Sequence, residues 1–204
     1  MCKVSEVVYY LRDINAPLVE AWSNYFADVP DVRPSVDDIF GVQADAIISP
    51  ANCFGFMDGG IDRAYSLRFG WQLQERLQQL LREEYEGELP IGMAVLLGTG
   101  DPKLPYLISA PTMRAPANVS DTLNAYLAFR ASLRVIQKHN ALFPGAIKSV
   151  ICPGLGTATG EMPVEICAKQ MYAAYRQVVG GQAWDSGSIN AIINEHYRLL
   201  RTDD

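Results

Sequence analysis

Stretches dense in Val, Ile and Leu alternate along this chain with longer stretches whose apolar residues recur three or four positions apart. The first kind predicts strands over residues 6–11, 32–36, 45–49, 93–97, 106–109 and 148–152. The second predicts helices over 17–26, 61–85, 121–138, 163–179 and 188–200. The longest of these repeats Ala64, Leu67, Trp71, Leu77, Leu80 and Leu81 at helical spacing, and the last uses Ile189, Ile192, Ile193, Tyr197 and Leu200. Ser120 stands where the 121–138 helix needs an N-cap, and Pro163 sits at the first turn of the next helix. Such alternation builds an α/β fold of three layers, a sheet covered by helices on both faces.

The sequence contains no internal repeat and no low-complexity stretch. Gly180-Gly181 and the loop through Gly187 read as a short connection, so residues 1–204 are expected to form one domain with 188–201 as its C-terminal helix. Asp101-Pro102-Lys103-Leu104-Pro105 reads as a turn joining two strands.

Composition narrows the function. Half of the chain is apolar and a fifth charged, the balance of a globular protein. No apolar run approaches the roughly 20 residues that span a bilayer, and residues 1–6 lack the pattern of a signal peptide. A cytoplasmic location without membrane contact is therefore expected. Cys2, Cys53, Cys152 and Cys167 lie too far apart for a zinc or redox motif, so they are expected to be reduced thiols and no metal site is expected. A net charge of -6 and no evident basic stripe argue against binding a nucleic-acid backbone. A compact anion is still a possible ligand, because backbone N–H groups bind phosphate without lysines.

Two loops carry candidate chemistry. In the first, the strand Asp45-Ala46-Ile47-Ile48-Ser49 runs through Pro50-Ala51-Asn52-Cys53-Phe54-Gly55-Phe56-Met57-Asp58-Gly59-Gly60 into the long helix at Ile61-Asp62. In the second, Val150-Ile151-Cys152 runs through Pro153-Gly154-Leu155-Gly156-Thr157-Ala158-Thr159-Gly160-Glu161-Met162 into the helix after Pro163. Ligands of open α/β sheets sit beyond the carboxyl ends of the strands, and glycines there let the backbone approach closely. No Lys-Ser or Lys-Thr pair follows the last glycine of either loop, so neither is a Walker loop. A pair of such loops can clamp a diphosphate from both sides.

The spacing of Asp38-Ile39, Asp45-Ala46-Ile47-Ile48, Ala51-Asn52 and Gly59-Gly60-Ile61-Asp62 resembles the macrodomain pattern, nearest in this first loop to the MacroD-type hydrolases. The loop 154–163 resembles the family's other phosphate-binding loop, and the order of elements agrees from about residue 5 to 180. The resemblance implies an ADP-ribose site and a three-layer mixed sheet. Asp38, with Ile39, would hold adenine. Ala51 and Asn52 would face the distal ribose; Gly59, Gly60 and Ile61 would follow the diphosphate; Gly154, Gly156, Thr157, Ala158, Thr159 and Gly160 would cover it from the other side. Asn52 and Asp62 would be the catalytic pair, Asp62 orienting or activating a water at the anomeric carbon. Its place in the first helical turn favours an ionised carboxylate.

Some positions depart from the family. Ser49 replaces the usual asparagine, Pro50 an alanine, Met57-Asp58 part of a glycine run and Ala158 a glycine, while Gly160 stands where many members place an aromatic ring. The start of the long helix offers Ser66 and Arg68 but no nucleophilic lysine. The resemblance thus implies ADP-ribose or an ADP-ribosylated macromolecule as partner, without a cofactor. Hydrolysis of that linkage, processing of a small ADP-ribose derivative, a non-catalytic ADP-ribose or nucleotide module, and docking of a protein by the same loops all stay open. So do the acceptor and the oligomeric state.

Other residues have simpler expected roles. Cys53 is expected to be packed, His139 to sit at a helix end, His196 to lie on a surface and Asp58 to be solvated. Phe54, Phe56 and Met57 are candidates for packing against ribose or an incoming side chain. The segment 110–116 is expected to line the same end of the sheet, with Arg114 a candidate for an anionic group.

Overall fold

The computed structural model describes residues 7–183 and 187–202; Cys2 and Glu6, the first residue of the expected opening strand, lie outside them. In chain order the elements are β1 (Val8–Asp13), α1 (Ala16–Tyr25), β2 (Val32–Val36), β3 (Ala46–Ser49), α2 (Gly60–Phe69) and α3 (Gln72–Glu84). They continue with β4 (Val95–Gly98), β5 (Tyr106–Ser109), α4 (Asn124–Leu142), β6 (Ser149–Cys152), α5 (Val164–Val178) and α6 (Ile189–Arg198).

The six strands form one mixed sheet in the order β2-β1-β6-β3-β5-β4. All neighbours are parallel except β4 and β5, which are joined across the turn at 101–105 and pair antiparallel. Period two decides what each face buries. Ala46, Ile48, Ile108, Val150 and Cys152 point to the side covered by α1, α4 and α5, while Ile47, Leu107 and Ile151 point to the side covered by α2 and α3. Because both faces are covered, the central strands carry consecutive apolar residues (46–48, 107–108 and 150–152), and alternation is absent from these runs. Five parallel strands thus direct their carboxyl ends to one edge of the sheet, where both glycine loops emerge.

The expected helix over 61–85 is two helices. Gly70 ends α2 with φ of +89°, which an L side chain rarely adopts, and α3 restarts at a new angle. Leu67 and Trp71, expected on the apolar stripe, are consequently exposed; Leu77 and Leu81 are buried as expected, and Tyr65, Phe69 and Leu73 join them in the core. Ser120 is not an N-cap: its hydroxyl donates to Asn118 Oδ1, and α4 starts only at Asn124, whose N–H meets Thr122 Oγ1 at 3.3 Å. In α6 the apolar face of Ile189, Ile192, Ile193 and Tyr197 is exposed, and Leu199, beyond the helix, is what packs.

Candidate functional site

The carboxyl ends of β1, β3 and β6 open onto a cleft of about 470 Å³, within the usual range for small-molecule sites. Every candidate site residue lines it. Asp38 and Ile39 stand at one end; Ala51, Asn52, Gly59, Gly60, Ile61 and Asp62 form one wall; and Gly154, Gly156, Thr157, Ala158, Thr159 and Gly160 form the other.

Both walls present backbone N–H groups. In α2 the first intrahelical donor is Arg63 N, bonded to Gly59 O at 3.1 Å. The N–H groups of Gly60, Ile61 and Asp62 therefore open onto the cleft without a helical acceptor. Across from them, among the described residues, Gly156, Thr157, Ala158 and Thr159 donate their N–H groups to no protein acceptor. Glu161 N and Met162 N instead close the loop on Ala158 O and Gly156 O, both at 3.0 Å. Asp13, at the end of β1, fixes the start of this loop through Gly154 N at 3.1 Å.

The glycines have different roles. A side chain at Gly59 would meet no atom within 4 Å, and its φ of -128° is open to any residue. Gly156 has φ of +75° and its missing Cβ points at Val119, 3.1 Å away; at Gly160 the Cβ would lie 2.6 Å from both Gly156 O and Val119. Gly156 and Gly160 are therefore required by the turn itself, whereas nothing in the fold requires glycine at position 59.

Asp62 is buried at the foot of α2 and accepts a hydrogen bond from Ser49 Oγ at 2.5 Å. Desolvation pushes its carboxyl up to about 7, against the opposing effect of the Ser49 bond. Burial thus opposes the ionised form that the sequence position favours. Asn52 also departs from expectation: Nδ2 donates to Phe56 O at 2.8 Å, and Oδ1 accepts from Phe54 N and Phe56 N at 3.1 and 3.2 Å. Its amide braces its own loop, with one N–H left for a ligand.

At the other end, Asp38 accepts from Phe40 N through Oδ1 at 2.7 Å. Beneath this turn lies Arg12, buried, its Nε bonded to Asp38 O at 2.9 Å and its Nη2 2.6 Å from Asp37 Oδ2. The Asp38 backbone N–H and the Arg12 cation hold the Asp37 carboxyl below the usual range. Arg12, Asp13, exposed Ile14 and Phe40 complete the cleft and are absent from the sequence reading. The rule that found the two loops could have found Asp13-Ile14, since β1 is also a parallel strand ending at this edge.

The segment after β5 enters the cleft as expected, pairing Thr112 N with Ala51 O at 3.0 Å and contributing Thr112, Met113 and Pro116. Arg114 does not: it is paired with Glu88 at 2.7 and 2.9 Å and lies over the Phe54 ring. Of the three loop hydrophobes only Phe56 lines the cleft, while Met57 is in the core. Cys53 is buried, and desolvation raises its thiol above the usual value, so it is a packing residue. Asp58 is exposed at the cleft rim. Ser66 donates to Met57 O and Arg68 pairs with Asp101, each outside the cleft chemistry. Among the described residues no cluster of His, Cys, Asp and Glu could hold a metal ion, and no helix is long and apolar enough to cross a membrane.

Comparison with known proteins agrees with this architecture. The family model described as Macro domain matches residues 48–171. An uncharacterized protein of Aquifex aeolicus is 33% identical over 148 residues, spanning 72% of this chain and 82% of its own length. Among solved structures, the macrodomain of Mycobacterium tuberculosis DarG superposes with a TM-score of 0.59 at 23% identity, covering 72% of this chain and 90% of that one. Thermosipho africanus DarTG in complex with ADP-ribose gives 0.55 at 16% identity, covering 83% of this chain and 50% of that one.

Proposed function

The chain belongs to the macro domain family, and on that footing we propose that its cleft binds ADP-ribose and hydrolyses its bond to an acceptor. One observation carries the binding: two sets of unpaired backbone N–H groups, at Gly60 to Asp62 and at Gly156 to Thr159, face a single cleft. A diphosphate satisfies both sets at once, and in a chain of net charge -6 they supply the attraction that side chains do not. Thermosipho DarTG was solved with ADP-ribose, which fits this assignment. Asp38 then receives the adenine amino group, with Ile39 and Phe40 against the ring, and Asn52 and Phe56 border the distal ribose.

Hydrolysis rests on Asp62. A carboxyl pushed up to about 7 is ionised in half of the molecules at that pH and protonates readily, which suits a general base. Water attacks the anomeric carbon, Asp62 takes the water's proton, and the acceptor leaves with the bonding electron pair. An acceptor linked through oxygen of an acidic side chain leaves as a carboxylate; one linked through nitrogen takes up a proton from Asp62 or solvent. Ser49 holds Oδ1, so Oδ2 is the oxygen open to water.

The test measures ADP-ribose binding and turnover together, on substrates linked through glutamate, arginine and a DNA base. Binding with turnover of one linkage supports the full reading. Binding without turnover of any leaves a recognition module, for which the engagement of Asn52 within its own loop already speaks.

A further inference from the structure

The fold gathers a basic groove that the sequence conceals. Between Asp121 and Glu161 the chain has no acidic residue, although the whole carries 23 Asp and Glu. Arg130, Arg134 and Lys138 fall in this stretch, four residues apart on α4, so they project from one face at intervals of about 6 Å. They line an open groove of about 960 Å³ between α4, the end of α5 and the segment before β4. Among the described residues, no acidic one lines it. None of the ion pairs among the described residues uses these three cations.

The groove is organised rather than a loose set of surface charges. Gln177 Oε1 accepts from Arg130 Nε at 2.7 Å and from Tyr126 Oη at 2.7 Å, which orients the guanidinium while leaving its Nη groups unpaired. Gln137 Nε2 donates to Val178 O at 3.0 Å and ties α4 to the end of α5. The floor is aliphatic: Met93, itself exposed, with Ala94, Ala131, Val135, Val178 and Ala183. Among the described lining residues there is no aromatic ring on which a base would stack.

We propose that this groove docks an acidic protein segment whose carboxylates are spaced by about 6 to 7 Å with aliphatic side chains between them. An extended strand places alternate side chains on one face at about that interval, and a helix does so every fourth residue. In the extended form the carboxylates meet Arg130, Arg134 and Lys138 on α4, and the side chains of the opposite face cover Met93 and Ala94 across the groove. The same three cations would attract a nucleic-acid backbone, but the aliphatic floor favours the peptide. This site is separate from the ADP-ribose cleft, with which it shares no lining residue.

The test uses the full chain and fluorescence anisotropy at low ionic strength. The probes are a labelled peptide of alternating glutamate and leucine, the same peptide with glutamine for glutamate, and a labelled oligo-dT. The glutamate peptide is expected to bind at least tenfold more tightly than the other two, and to weaken as salt is raised. Arg134→Glu with Lys138→Glu should cut its affinity at least tenfold while the melting temperature stays within a few degrees, since both side chains are exposed. Met93→Ser should weaken the glutamate peptide and leave oligo-dT unchanged. Equal binding of the glutamine peptide, tighter binding of oligo-dT, no binding at all, or indifference to the charge reversals would each overturn the proposal.

Discussion

Ser49 Oγ donates to Asp62 Oδ1 across 2.5 Å of buried space, joining the end of the central strand β3 to the first turn of α2. The serine is one of the departures from the family pattern, and its hydroxyl engages one oxygen of the buried carboxyl. Its effect on ionisation is favourable to the anion but smaller than that of burial.

Stability should therefore respond to pH through Asp62. Its folded value of about 7 lies above the ordinary carboxylate value of 3.8. The protonated form is favoured in the fold, so this contribution to stability is fully present below about pH 4 and is lost as pH rises through about 7. At about 1.4 kcal/mol per unit, the loss reaches on the order of 4 kcal/mol. Asp62→Asn should remove it, giving a melting temperature that gains on the original protein between pH 5 and pH 8. Parallel melting curves across that range would contradict the assignment.

The same substitution should keep ADP-ribose binding and slow hydrolysis by roughly 100-fold to 10,000-fold, because an amide cannot take a proton from water. In the original protein the rate should rise with pH through about 7 and then level. Unchanged turnover by Asp62→Asn removes it from the role of base.

Asp38 should matter to the adenine end through the oxygen that Phe40 N does not use. Asp38→Asn keeps an acceptor for Phe40 N and places an NH2 where the adenine amino group needs a carboxylate. ADP-ribose binding should weaken by roughly 1.5 to 3 kcal/mol, the range for a hydrogen bond to a charged group, with an unchanged melting temperature. Equal affinity in calorimetry takes Asp38 out of the site.

Gly70 sets the angle between α2 and α3, and with it the direction of the α2 N-terminus. Gly70→Ala forces a side chain into φ of +89° and should cost roughly 1 to 3 kcal/mol in chemical denaturation. A neutral result would mean that the two helices fuse without penalty.

The strands were legible because their apolar runs are short and sharply bounded; 32–36 and 106–109 have the expected bounds, while β1 and β4 begin two residues later. The break at Gly70 was hidden because Leu67 and Trp71 continue the helical spacing across it. Both glycine loops could be read, but not which glycine faces the ligand. That depends on Val119, about forty residues before the second loop in sequence yet packed under Gly156 and Gly160. Arg12 and Phe40 were missed for a similar reason: one lies inside a strand and the other in a turn, and only the packing of β1 against the 37–41 turn brings them to the cleft.

The clamp of two loops is tested most directly by calorimetric titration of ADP-ribose and AMP into the original protein and Gly59→Val. Valine at this extended position enters open space beside the unpaired N–H groups, so the fold should tolerate it while the diphosphate should not. ADP-ribose is expected to bind the original protein at least tenfold more tightly than AMP, and Gly59→Val to lose most of that advantage with little change in melting temperature. Equal affinity for the two ligands, or an undiminished preference for ADP-ribose in Gly59→Val, would contradict a diphosphate held between α2 and the 154–160 loop.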